Sequence, residues 1–237
     1  MKYKIIFSIF ISWICIYGIT ADEIIDKMEK TDKYKTSKMI MTQTITTSTG
    51  MSRTFTIKTY SDGKNTYMKY IKPARVKGFK MLFLNDGDEI WIYSKRSGRT
   101  RKIASHNKNK SVMGSDFSYE DFSGKGFKQD YKVKLLDEEE HYRLRLIPKK
   151  DDASYSKLIV WISKDFLTKR IDYYNKKNDL VKRLRVSDYK KIDGYSTPFK
   201  IVMKNLKKGT KTVMEIKEVE YNIKLPSGIF KVDKLSK

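Results

Sequence analysis

The sequence predicts a mainly β protein with a few helices, laid out as one antiparallel meander closing toward a barrel. From Lys38 onward, apolar and polar residues alternate with a period of two. Turn-forming residues punctuate that alternation at regular spacing, at Asp62-Gly63, Asn85-Asp86-Gly87, Ser97-Gly98, Asp193-Gly194 and Lys208-Gly209. No break in composition and no internal repeat divides the 237 residues, so a single domain over 22–237 is expected.

The elements follow in order. Met1–Lys4 is basic, Ile5–Ile19 is an apolar stretch, and Ala21 precedes the acidic Asp22-Glu23. That layout predicts a signal peptide over 1–21 and export to the periplasm. Ile14 stands before Cys15 where a lipid-acylation signal requires a small residue, which argues against an anchor at Cys15. With cleavage after Ala21 the remaining chain holds no cysteine. Asp22–Asp32 places Ile24, Ile25 and Met28 on one side, with acids in front and lysines behind, as an amphipathic helix does.

Strands follow around Met39–Ile45, Phe55–Ile57, Tyr67–Ile71, Phe79–Leu84, Ile90–Tyr93 and Arg99–Ile103. After a central segment they resume at Tyr131–Leu136, Tyr142–Ile147, Leu158–Ile162, Lys169–Tyr174, Leu180–Val186, Phe199–Met203 and Lys211–Val219. Phe79–Leu84 and Ile90–Tyr93 are apolar on both faces and need cover on both. Between the two runs, Ser111–Phe122 reads S-V-M-G-S-D-F-S-Y-E-D-F. An apolar, partly acidic connector of this kind fits a lid over a cavity or a plug closing a core.

The chain carries a formal net charge of +23, which suggests an anionic partner. Its basic residues are 41 Lys against 10 Arg, whereas nucleic-acid readers lean on arginine for bidentate base contacts. With an export signal this argues for a membrane surface and against nucleic acid. His106 and His141 lie far apart without cysteine partners, so no metal site is expected. No nucleophile elbow, phosphate loop or dinucleotide fingerprint occurs, and no cofactor is expected. Asp116, Glu120 and Asp121 could form a carboxylate pair, but the plainer reading is a helix N-terminal acid and a solvated pair. No catalytic residues are expected, and the function class is binding. Met39, Met41, Met68, Met81, Met113, Met203 and Met214 suit a pocket for loosely defined apolar ligands or an ordinary core.

Several stretches in order carry a resemblance. These are G-F-K-M-L-F-L at 78–84, D-E-I-W-I-Y at 88–93, R-T-R-K-I at 99–103 and M-G-S-D-F-S-Y-E-D-F at 113–122. Y-S-T-P-F at 195–199 and I-F-K-V at 229–232 extend the set. Together they resemble the outer-membrane lipoprotein-sorting protein family, the LolA-like group related to the carriers LolA and LolB. The resemblance implies an incomplete antiparallel β-barrel of about 11 strands around an apolar cavity, with helices covering the open side. It implies a periplasmic carrier or acceptor of lipoproteins or other lipids, with acyl chains as ligand and transient membrane or membrane-protein partners. The alternative is an interaction module docking on an anionic membrane or partner through its lysine-rich face.

The central segment becomes a lid. The expected cavity and lid residues are Phe55, Ile57, Met68, Tyr70, Met81, Phe83, Trp91, Tyr93, Met113, Phe117, Tyr119, Phe122 and Trp161. LolA holds its lid with an arginine, for which Arg75, Arg99 and Arg101 are the candidates here.

Overall fold

The computed structural model describes residues 18–31, 34–122, 126–151 and 153–237. Most of the expected signal segment, residues 1–17, lies outside them. The first element is a helix, α1 (Ala21–Thr31), whose Ile24, Ile25 and Met28 are all buried. Thr20 caps it. The Thr20 hydroxyl accepts from the Glu23 backbone amide at 3.2 Å, and Glu23 Oε2 accepts from the Thr20 amide at 2.8 Å. This reciprocal pair is a capping box. Cleavage after Ala21 would remove it, together with the partly buried Ile19.

Among the described residues thirteen strands follow, in two runs. The first holds β1 (Ser37–Thr46), β2 (Ser52–Ser61), β3 (Thr66–Lys72), β4 (Lys80–Leu84), β5 (Glu89–Ser94) and β6 (Arg99–Lys102). A short helix, α2 (Phe127–Asp130), opens the second run. It continues with β7 (Tyr131–Asp137), β8 (Tyr142–Pro148), β9 (Lys157–Ile162), β10 (Thr168–Tyr174), β11 (Leu180–Ile192), β12 (Tyr195–Asn205) and β13 (Thr210–Tyr221). All 13 form one antiparallel sheet in the order β6-β5-β4-β3-β2-β1-β13-β12-β11-β10-β9-β8-β7.

The expected count of about 11 strands is corrected to 13, and the sheet is open, as the expected incomplete barrel is. The first strand does pair with the last, from Ser37 opposite Tyr221 to Thr46 opposite Lys211, as it would in a barrel. The seam opens instead between β6 and β7, which are the two free edges. Both edges carry repeated basic side chains, Arg99, Arg101 and Lys102 on one and Lys132 and Lys134 on the other. Such charges discourage pairing with another chain.

The topology dictates the path of the central segment. The two edges are the strands on either side of this segment, and its described residues 111–122 lie across a face of the sheet, tied to β13 and β11. That inner face holds two apolar clusters. One, over β7–β13, contains Leu144, Leu146, Val160, Ile162, Ile171 and Met203, with Ile24, Ile25 and Met28 of α1 packed among them. The other, over β1–β5, contains Phe55, Ile57, Met68, Tyr70, Met81, Phe83 and Ile90. Met41 and Phe122 pack against both. On the outer face Tyr67, Leu82, Trp91 and Tyr93 pack beneath Ile229, Phe230, Val232 and Leu235 of the C-terminal segment. This explains why β4 and β5 are apolar on both sides. Among the described residues no helix is long and apolar enough to cross a membrane.

Candidate functional site

The strap, residues 111–122, is a compact turn followed by one short 3-10 turn. Ser111 and Ser118 bridge as in an antiparallel pair, the Val112 amide donates to the Phe117 carbonyl at 2.9 Å, and the Ser115 amide donates to the Val112 carbonyl at 2.9 Å. Met113 (φ 52°) and Gly114 (φ 73°) supply the left-handed corner. Glycine at 114 also answers to crowding, because a Cβ there would sit 2.3 Å from Arg53 Nη2.

That contact identifies an arginine the sequence reading missed. Arg53 Nη2 donates to the backbone carbonyls of Met113 at 3.3 Å and Gly114 at 3.4 Å. Arg53, on the same side of β2 as Phe55 and Ile57, makes this contact; among the described residues Arg75, Arg99 and Arg101 donate no hydrogen bond to the strap's backbone. Its place in that alternating stripe was the signal available in sequence.

The strap's acids are anchors. Asp116, 7% exposed, accepts hydrogen bonds from the hydroxyls of Thr210 and of Thr212, the latter at 2.8 Å. Its own amide donates to Thr212 Oγ1 at 2.9 Å. The segment is thus pinned to β13 near the middle of the sheet. Glu120 accepts from the Ser154 hydroxyl at 2.5 Å. Asp121 pairs with Lys182 Nζ on β11 at 3.0 Å and accepts from the Tyr155 hydroxyl at 3.2 Å. Burial, with Asp121 beside it, pushes the Tyr155 phenol far above its ordinary range. These contacts replace the expected solvated pair with three separate ties.

The strap's apolar side chains lie over the floor. Phe117 belongs to the β7–β13 cluster, while Met113 and Tyr119 pack on the β1–β5 cluster. Phe122 lies between, its ring 5.3 Å from that of Phe117 and 6.1 Å from that of Phe83. In this conformation the chain's own side chains occupy the inner face.

The expected site residues therefore divide. Phe55, Ile57, Met68, Tyr70, Met81 and Phe83 form a contiguous inner floor, and Met113, Phe117, Tyr119 and Phe122 cover it. Trp91 and Tyr93 lie on the outer face under the C-terminal segment. Trp161 also alternates to the outer side, because Leu158, Val160 and Ile162 of the same strand point inward. Arg170 Cζ stands 4.1 Å from the centre of its ring. Their large aromatic character made these three attractive, but strand parity separates them from the floor.

A second missed residue is Gln43, fully buried on β1. It shares a face with Met41 and Ile45, and its Oε1 accepts from the Tyr70 hydroxyl at 3.3 Å. Its amide nitrogen has no hydrogen-bond partner. A glutamine inside the stripe M-I-M-T-Q-T-I was visible in sequence as a polar residue in an apolar register. Among the described residues no cluster of histidine, cysteine, aspartate or glutamate could hold a metal ion.

An open antiparallel sheet whose apolar inner face is crossed by a tethered strap defines a half-barrel of the LolA type. A domain described as an outer membrane lipoprotein-sorting protein, from Vibrio parahaemolyticus, is 23% identical and superposes with a TM-score of 0.83 over 91% of this chain and 97% of that one. A DUF1329 family protein from Desulfovibrio piger is 30% identical, with a TM-score of 0.83 over 92% of this chain and all (100%) of that one. A LolA superfamily protein from Nitrosomonas europaea is 20% identical, with a TM-score of 0.77 and coverage of 92% and 100%. A family model described as "-like: Uncharacterized protein" matches residues 62–237, and with 30% identity over the whole of the Desulfovibrio piger protein the chain belongs to the DUF1329 family, with a LolA-like fold. No curated protein matches.

Proposed function

We propose that the protein is a non-enzymatic periplasmic carrier or acceptor that binds acyl chains of lipoproteins or other lipids on the inner face and hands them toward the outer membrane. The observation that carries this reading is the strap. It crosses a continuous apolar floor and holds it with a few side chains and polar ties, so a chain of similar apolar character can take their place. Burying ~15 methylenes supplies on the order of 12 kcal/mol. Displacing the buried Phe117 at about 3 kcal/mol and the half-buried Tyr119 and Phe122 at about 1.5 kcal/mol each costs about 6 kcal/mol. The surplus, about 6 kcal/mol before ordering costs, corresponds to dissociation on the order of tens of micromolar. Binding of that strength permits release. The test is native mass spectrometry of gently purified protein, followed by displacement of bound material with a fluorescent fatty acid. A bare mass with no fluorophore uptake would overturn the reading.

A second contact surface complements it. The outer face of β8–β11 gathers Arg143, Arg145, Arg170, Arg183 and Arg185, half of the chain's arginines, around Trp161. Two acids answer them. Asp172 pairs with Arg170 and Arg183, and Asp137 pairs with Arg143 at 2.7 Å. The surplus positive charge fits docking on an anionic lipid surface, the step at which a carrier would load or deliver. The alternative docking module thus becomes a part of the carrier, moved from a lysine-rich face to an arginine-rich one.

A further inference from the structure

We propose that Gln43 is the polar anchor of the inner face and that it recognises the carbonyl oxygen of an acyl group, as ester or amide. The inference rests on the carrier reading and names the part of the ligand that the floor reads.

The register places this side chain at the join of the two apolar clusters. Gln43 stands opposite Met214 of the β7–β13 cluster on one side and opposite Phe55 of the β1–β5 cluster on the other. It is fully buried, and β1 is the strand on which both runs of the sheet meet. Tyr70, itself fully buried, fixes the amide by donating to Oε1. The amide nitrogen then carries donors with no acceptor in reach. A buried donor without a partner opposes folding, and an apolar side chain of similar size would avoid that cost.

A ligand oxygen resolves the mismatch. An acyl chain laid along the floor in place of Phe117 and Phe122 presents its carbonyl as the one strong acceptor on an otherwise apolar body. An N–H···O=C bond from Gln43 would set how deep the chain lies. Free hydrocarbon and ether-linked chains lack this acceptor or offer a weaker one. The floor would then distinguish acyl from alkyl chains, which apolar contact alone does not.

The test uses pairs of ligands that differ only in the carbonyl: a monoacylglycerol against the alkylglycerol ether of equal chain length, and an N-acyl peptide against its N-alkyl counterpart. Each is titrated against a bound fluorescent fatty acid in the wild-type chain, in Gln43→Leu and in Gln43→Met. The wild type is expected to prefer the carbonyl member by about tenfold, the size of one buried hydrogen bond left unmade. Both variants are expected to bind the two members alike, at the affinity of the wild type for the ether. The ratio is internal to each variant, so a change in stability does not move it. The pair showing the larger preference tells a lipid ester from an acylated polypeptide. Equal binding of both members by the wild type, or an undiminished preference in the variants, overturns the role of Gln43 and leaves the carrier reading standing. Binding of neither member overturns both.

Discussion

Truncating Phe122 to alanine separates a strap that competes with ligand from a plug that merely completes a core. Phe122 packs on both inner clusters and against Phe83 and Phe117, but it is only half-buried. Full burial of a phenylalanine side chain is worth up to ~3 kcal/mol, so about 1.5 kcal/mol is the share expected here. On the proposed function, that energy holds the strap on the floor in the empty protein and would be surrendered when an acyl chain displaces it. Removing it should therefore tighten ligand binding by about tenfold while lowering stability by a similar energy. The assay is displacement of a fluorescent fatty acid, read beside urea unfolding of the same samples. Loss of stability with unchanged or weakened affinity, the native fold being intact, would refute the competition.

Other expectations are independent of that one. Arg53→Ala removes two ties to the strap backbone and should raise the rates of uptake and release about fivefold, with less effect on the equilibrium; stopped-flow fluorescence checks this. Burial pushes the Asp172 carboxyl upward, but the hydrogen bonds from Arg170 and Arg183 outweigh it and hold the group below its ordinary range. The stability this contributes is present above the unfolded-state pKa and is lost as pH falls through the lower folded value. Asp172→Asn should flatten that acid limb in thermal unfolding, at a cost of about 3 kcal/mol near neutral pH from the unpaired arginines. Replacing Arg143 and Arg185 by alanine should weaken sedimentation with anionic vesicles, and added salt should weaken the wild type likewise. Acyl-chain affinity should change in neither case.

Much of the architecture was legible in the sequence because each signal was local. The helix expected over Asp22–Asp32 is found as α1 at Ala21–Thr31, and its buried face is the one the spacing of Ile24, Ile25 and Met28 defined. The turns at Asp62-Gly63 and Asn85-Asp86-Gly87 fall between strands as their backbone preferences require. The openness of the sheet was not local. It depends on β1 pairing with β13 and on β6 and β7 failing to meet, which no window of residues encodes.

Within the site, Phe55 and Ile57 were recoverable from alternation alone, whereas Met81 and Phe83 share β4 with Leu82 of the opposite face. Trp91 and Tyr93 were not separable from the floor, because β5 is apolar on both faces and only the C-terminal segment reveals which face is which. Arg53 and Gln43 escaped for the opposite reason. Each is a polar residue in an apolar register, and its meaning lies in a partner on another strand or on the strap. The acids of S-D-F-S-Y-E-D behave the same way. Read alone they are charges in a loop; in the fold they are the strap's attachments to β13, Ser154 and β11.

On the proposed function, the strap must leave the inner face for a lipid to bind. Asp116 and Thr212 touch across the strap and β13, so replacing both with cysteine in a chain carrying Cys15→Ser allows the strap to be tied down by oxidation and freed by reduction. The measurement is fluorescent fatty-acid binding by the oxidised and reduced forms of that one protein. Binding is expected when reduced, and little or none when oxidised. Equal binding in both forms would contradict that requirement.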